Sequence, residues 1–440
     1  MREVTLQEIL QAREDRVKLQ QRLLHEFHCP LICFTMNIPG PIKNTPLIQR
    51  GFQAGLHALE HSIADEYIVN RVITQSHTGD TAFLSVKLNA DELKAICISI
   101  ENRFPLGRLF DMDVLDTNGY KLTREIPRGC IVCGAPGRHC AAGRLHPVAE
   151  LQHATNRILT NHFYDTDPEY IASFAVQSLI EEVNTTPKPG LVDRRNNGSH
   201  KDMTIHHFMD SAKALGPYFA QCVRIGQETA QQTPQQTFSR LRQSGIAAEK
   251  TMYETTGGIN THKGVIYTLG VLCGAIGRLW SAEVPIADVD FILTECAKIV
   301  GSSVAEDFAE ADGSTAGERL YSLYGIGGIR AEVAAGLPSV ATIGLPTYRR
   351  ALEDGLIPND AGVITLLHLI SHVADTNLYH RGGVEGAKWA AHAAQKLLST
   401  QPHPTVDQVQ GLDDAFIARN LSPGGCADLL AVTYFLHHFL

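Results

Sequence analysis

Two aspartates one residue apart stand in the run Gly107-Arg108-Leu109-Phe110-Asp111-Met112-Asp113-Val114-Leu115. On a strand, side chains two apart point the same way. The spacing therefore predicts that Asp111 and Asp113 share one face while Phe110, Met112 and Val114 turn to a core. Carboxylates held side by side repel unless a divalent cation lies between them, and Mg²⁺ prefers such oxygen ligands and brings phosphate oxygens with it. Gly107 would let a phosphate approach the backbone, and Arg108 would neutralise its charge. Lys43, in the proline-stiffened loop Asn37-Ile38-Pro39-Gly40-Pro41-Ile42-Lys43-Asn44, offers a second cation. With a metal, these parts suit displacement at phosphorus. Without one, they read as a solvated turn. Cys130, Cys133, Cys140 and His146 have spacing that suits structural zinc, although a plain loop with reduced thiols fits as well.

A second group of polar clusters lies later in the chain. Thr186-Pro187-Lys188-Pro189-Gly190-Leu191-Val192-Asp193, continuing to His200, Lys201 and Asp202, reads as a ligand loop rather than a linker. Gly257-Gly258-Ile259-Asn260-Thr261-His262-Lys263-Gly264 opens a Gly-rich apolar run, where helix N-terminal N–H groups and Lys263 would attract an anion. Its glycine and lysine spacing is not that of a Walker loop. Three more clusters follow: Gly327 to Glu332, Asp375-Thr376-Asn377 with Arg381-Gly382-Gly383, and Asn420 to Gly425 with Asp428. Together they predict one triphosphate-binding centre. Lys188, Lys263, Arg330 and Arg381 would supply positive charge, and Asp193, Asp202, Asp375 and Asp428 Mg²⁺ ligands or a general base.

The elements that must carry these residues change character along the chain. The first ~30 residues have the apolar spacing of an amphipathic helix. Leu31 to Thr35 reads as a strand, and Thr81 to Leu88, Ala95 to Ile100 and Arg108 to Leu115 are further short apolar runs. Asp167-Pro168-Glu169 has the order of a helix start, with Asp as N-cap and Pro in the first turn. Helical spacing dominates from there, over Phe208 to Phe219, Gly264 to Leu279, Phe291 to Val300 and Val363 to His372. The expected architecture is an α+β domain with a mixed sheet over residues 1–165, then an all-α helical bundle over 166–440. A chain of 440 residues is long enough for two cores. Its net charge of −9 gives no general attraction to nucleic acid or an anionic membrane. The longest uncharged apolar stretch, Gly264 to Gly277, is shorter than the ~20 residues of a bilayer span. With no secretory signal, the ten cysteines are expected reduced and the protein cytoplasmic.

Residues 1 to 160 resemble the phosphoribosyl-dephospho-CoA transferase of citrate lyase, through PLICFTMNIPGPIKN, FPLGRLFDMDVLDTNGYKLTR and CIVCGAPGRHCAAGRLH. The resemblance implies transfer of a phosphoribosyl-dephospho-CoA unit from its triphosphate precursor to a serine of the apo-citrate lyase acyl-carrier (gamma) subunit. Pyrophosphate leaves. Gly129 stands where that family leads one to expect a basic residue, and Arg128 is the substitute at hand. From about residue 170 onward the chain resembles the triphosphoribosyl-dephospho-CoA synthase family, through EVNTTPKPGLVDRRNNGSHKDM, GGINTHKG, DTN with RGG, and NLSPGGCADLL. That implies ATP plus 3'-dephospho-CoA giving 2'-(5''-triphosphoribosyl)-3'-dephospho-CoA and adenine. Ala331 departs from a Gly-Arg-Gly-Glu-like pattern. Asp202 or Asp375 is then the expected base, and His200 a proton donor or orienting group. Rival readings are a metal-dependent phosphohydrolase using His200, Asp202, His372 and Asp375, and a nucleotide- or CoA-sensing regulator. Malonate decarboxylase is an alternative client.

Overall fold

Four strands carry the first aspartate pair, and their order explains its placement. The computed structural model describes residues 2–301, 303, 319, 321–323 and 325–440. Strands β1 (Leu31–Met36), β2 (Ile68–Thr74), β3 (Thr81–Val86) and β4 (Phe110–Leu115) form one sheet in the order β2-β3-β1-β4. Every neighbouring pair is antiparallel, so the sheet is not the mixed one expected. Helix α2 (Pro46–His61) joins β1 to β2, and helix α3 (Ala90–Arg103) joins β3 to β4. Each helix crosses over one strand, so the two crossover units interleave and parallel strands never touch. This is the split βαβ arrangement of ferredoxin-like folds.

The run Ala95 to Ile100 is helical, because it lies inside α3, with Asn89 capping that helix through Asp91 N–H. Helix α1 (Leu6–Phe27) forms as its spacing predicts. It buries Leu23 and Leu24 against Leu31, Cys33, Phe83 and Leu115. The opposite sheet face buries Phe34, Phe110 and Phe52, with Phe34 and Phe52 stacked at 4.9 Å.

Asp167-Pro168-Glu169 does not begin a helix. One helix runs from Val148 to Asn184 with Pro168 inside it. Pro168 forfeits a single backbone bond there. Asp167, instead of capping, is buried and accepts a hydrogen bond from Trp280 Nε1 at 2.7 Å. The chain divides into two units, Met1–Thr166 with Ser281–Val284 and Asp167–Trp280 with Pro285–Leu440.

The regular elements of the second unit are all helices among the described residues. The expected helix Phe208 to Phe219 is two, Ile205–Ala214 and Gly216–Glu228, broken at Leu215 before Pro217. The apolar helix Lys263–Leu279 is buried over most of its length. It packs against Gly216–Glu228 at Gly226 and Gly277, which have no side chain to hold the backbones apart, while Gly274 makes room for Leu241. No described helix is long and apolar enough to cross a membrane.

Candidate functional site

In the first unit, β4 presents the aspartates as its alternation requires. Phe110, Met112 and Val114 are buried, while Asp111 and Asp113 point the other way. The register is held from behind by α3. The buried Lys94 donates to the Met112 carbonyl at 3.1 Å, and the buried Glu101 accepts from the Met112 N–H at 2.9 Å. The peptide between the two aspartates is thus clamped on both sides. Low-polarity surroundings, and second the charge of Asp113, push the Asp111 carboxyl above the usual carboxylate range. Asp113 pairs with Lys121 Nζ at 2.5 Å. Two carboxylates on one face, one of them raised by the other, fit a divalent cation.

Beside this strand is a cavity of about 850 Å³ whose walls include Arg108, Arg124, Arg128 and Arg144 and, among the described residues, no carboxylate. Arg108 donates to the Gly129 carbonyl, and Arg128 to the carbonyls of Gly107 (2.6 Å) and Phe110. Glu101 stands 3.6 Å from both Arg124 and Arg128. One buried acid therefore fixes the strand and steadies two guanidiniums. Such a cavity suits a polyanion. Cys130, Cys140 and His146 form another part of its wall.

In the helical unit a smaller cavity, about 280 Å³, draws on four of the five polar clusters. Lys188 and His200 come from the first, Asn260, His262 and Lys263 from the second, Asn377 and Arg381 from the fourth, and Ser422 and Asp428 from the fifth. The long loop is held in shape by acids. Asp193 accepts from the N–H groups of Lys188 (2.9 Å), Arg195 (2.7 Å) and Asn196 (3.1 Å). Asp413 accepts from Gly190 N–H and Asn196 Nδ2, each at 2.8 Å. Lys188 is 1% exposed and pairs with the buried Glu182, also donating to its carbonyl at 2.7 Å. Burial raises the Glu182 carboxyl and Lys188 pulls it back.

Asp428 reaches the first turn of helix Lys263–Leu279 because position 264 is glycine; a Cβ there would lie 2.0 Å from its Oδ2. Burial first, then Glu182 and Asp375, push the Asp428 carboxyl well above the ordinary range. His262 is 3% exposed, its Nδ1 2.9 Å from Ser211 Oγ, and its Nε2 lacks a hydrogen-bond partner among the described residues. Burial, then Lys188, holds its pKa down at about 3, so the ring is neutral. His200 is also kept neutral by burial and Arg381. Its Nδ1 accepts from Arg381 at 3.1 Å and its Nε2 lies 3.0 Å from Ser422 Oγ, so both nitrogens are engaged.

The arginine-walled cavity and the acid-lined one correspond to two separate sequence similarities. Residues 4–162 match the family of the apo-citrate lyase phosphoribosyl-dephospho-CoA transferase, and residues 168–440 that of the ATP:dephospho-CoA triphosphoribosyl transferase. The chain is 36% identical to Protein CitXG of Haemophilus influenzae, over 99% of this chain and 96% of that one. It is 33% identical to Protein CitXG of Leuconostoc mesenteroides subsp. cremoris, over 98% and 97%. The chain belongs to the CitXG family. A third relative, the "Probable 2-(5''-triphosphoribosyl)-3'-dephosphocoenzyme-A synthase" of Citrobacter koseri, is 42% identical over 60% of this chain and 89% of its own length. Like the CitXG family, the chain is a transferase of two activities, making the citrate lyase prosthetic group and attaching it.

Several candidate residues lie elsewhere than the motifs imply. Lys43 is absent from the arginine cavity's walls, and its ammonium donates to the Ile38 carbonyl. Gly107 faces the carbonyls of Ile100 and Glu101, where a Cβ would clash at 2.4 Å, so its role is packing rather than phosphate access. Arg330 borders a neighbouring cavity that shares only Lys263 with the acid-lined one. Lys263 also pairs with Glu249 at 3.0 Å. Asp375 caps helix Thr376–Thr400 and binds Cys426 N–H, so backbone donors occupy its buried carboxylate. Asp202 is exposed and outside the cavity lining. The rival set His200, Asp202, His372 and Asp375 is not gathered either. Among the described residues, the group of three or more such side chains at ligand spacing is Cys130, Cys133, Cys140 and His146. Sequence reasoning passed over Glu182, though it falls at i+3 and i+7 from the buried Leu179 and Ala175, where an acid on an apolar stripe is a signal. Arg124, Arg144 and Glu101 gave no comparable signal, because only the fold brings them together.

Proposed function

We propose that Asp428 is the general base of the helical unit, taking the proton as the 2'-hydroxyl of 3'-dephospho-CoA attacks the anomeric carbon of ATP's ribose. The new C–O bond replaces the bond to adenine, which leaves with the bonding electron pair and takes up a proton. Asp428 lines the cavity with Asn260, His262 and Lys263, its Oδ2 set against Gly264 in the first turn of helix Lys263–Leu279, and this placement is the observation that carries the assignment. Burial pushes its carboxyl up, the direction that favours taking a proton. Lys263 and Arg381 hold phosphates, Asn260 and Asn377 orient the ligand, and Lys188 balances Glu182. His200 orients Arg381 rather than donating a proton. His262 offers its open, neutral Nε2 to the ligand.

In the front unit, the carrier serine attacks the phosphorus nearest the ribose and pyrophosphate leaves. Asp111 and Asp113 would hold Mg²⁺, which would supply positive charge against the diphosphate as it leaves. Arg108, Arg124, Arg128 and Arg144 hold the triphosphate. The expected partner is the apo-citrate lyase acyl-carrier subunit. We place both steps in the cytoplasm, where the cysteines would stay reduced.

Incubating the full chain with ATP, Mg²⁺ and 3'-dephospho-CoA should release adenine, read by chromatography. Adding apo carrier subunit should then raise its mass by one prosthetic group. Phosphate released from ATP without adenine would overturn the reading in favour of a phosphohydrolase.

A further inference from the structure

We infer that Cys130, Cys133, Cys140 and His146 bind one structural zinc ion that builds a wall of the arginine cavity. Their four ligand atoms lie within 4.8 Å of one another. Cys133 Sγ is 3.5 Å from Cys140 Sγ and 3.3 Å from His146 Nε2. Thiolates around a tetrahedral Zn²⁺, each at ~2.3 Å, stand roughly 3.8 Å apart. The sulfurs are thus near zinc spacing and well beyond the ~2.05 Å of a disulfide.

The surroundings match a metal knuckle as well. Cys130-Ile131-Val132-Cys133-Gly134 turns back on itself, with Gly134 N–H donating to the Cys130 carbonyl at 3.0 Å and Gly134 at φ 74°. The Val132 N–H points at Cys130 Sγ at 3.4 Å, a bond that favours thiolate over thiol. Cys140 is buried and comes from the short helix Gly137–Gly143. His146 Nδ1 lies 3.0 Å from Glu150 Oε2, the carboxylate partner that orients a metal-bound imidazole through its other nitrogen. Three thiolates and one imidazole complete a tetrahedron, leaving no position for water, so the ion is structural rather than catalytic.

The segment it ties down, past the anchoring Arg124 and Arg128, has few regular elements of its own. Between β4 and the helix starting at Val148 there is little regular structure beyond that one short helix. Yet Gly129, Cys130, Cys140, Arg144 and His146 all line the cavity, and Gly129 receives the Arg108 guanidinium. Zinc would replace a core this segment is too short to form.

The test is the metal content of the full chain, purified under reducing conditions without chelator and measured by mass spectrometry of the elements. About one zinc per chain is expected, released when a mercurial reagent takes the thiols. Cys140→Ser and His146→Ala should each lower that content severalfold, while Cys29→Ser, at a buried thiol outside the cluster, should not. Co²⁺ taken up by the metal-stripped chain should show a thiolate-to-metal absorption band. A chain that carries no zinc after growth in zinc-sufficient medium and takes up neither Zn²⁺ nor Co²⁺ would overturn the inference. So would zinc that persists in both variants, or an intact mass two hydrogens short from a Cys133–Cys140 disulfide. The ion is counted without substrate, so this result is independent of the reactions assigned to either unit.

Discussion

Asp428 and Asp202 differ in a way that decides which can act as a base. Both are aspartates in polar motifs, but Asp428 lines the cavity beside Glu182 and Asp202 lies exposed outside its walls. Asp428→Asn should reduce adenine release ~10²–10⁴-fold with little change in melting temperature, and Asp202→Asn should leave it nearly unchanged. Adenine release at full rate from Asp428→Asn would remove the assignment. His262 makes a prediction about pH. Its folded pKa of about 3 lies below the ordinary 6.5, so the unfolded chain binds the extra proton between those values. Its contribution to stability is therefore complete above pH 6.5 and is lost as pH falls toward 3. Denaturant midpoints measured across that range should fall less steeply in His262→Asn than in the parent chain.

Two elements depend on buried charges. The clamp of α3 on β4 runs through Lys94 and Glu101, and Glu101→Ala strands the buried Met112 N–H at a cost of ~1–3 kcal/mol. It also removes the carboxylate 3.6 Å from Arg124 and Arg128. Carrier loading should fall in this variant while adenine release persists, which a global unfolding defect would not produce. In the helical unit, Lys188→Met leaves Glu182 buried and unpaired, with an expected loss of ~3–5 kcal/mol by chemical denaturation. Adding Glu182→Gln should restore a large part of it. These contacts mark the limit of sequence reading at this scale. The alternation that buries Phe110, Met112 and Val114 was legible, since a strand has no other way to place them. The clamp was not, because α3 and β4 meet only when the sheet assembles. Pro168 misled for a related reason: local helix-start chemistry was overridden by the partner that Asp167 finds in Trp280.

At the scale of the whole molecule, the product of one reaction is the substrate of the other, and tethering raises its local concentration. If the intermediate is released between steps, a chain inactive in one unit should complement a chain inactive in the other. Asp111→Asn mixed with Asp428→Asn should load carrier when neither does so alone, as read by carrier mass. No loading from the mixture, with each variant's remaining activity intact, would mean the intermediate stays on one chain. By itself the sequence determined the two-unit organisation expected of its length, the acidic strand and four polar clusters that meet at one cavity. Residue type and local spacing carry those, and neither depends on distant parts of the chain. The tertiary structure alone decided that the sheet is antiparallel throughout and that Asp193 and Asp375 serve the backbone. It also decided that Glu182, Glu101 and a ring of arginines join the sites. Those are matters of which groups lose water together and which donors remain for them, and that is settled only when remote segments pack.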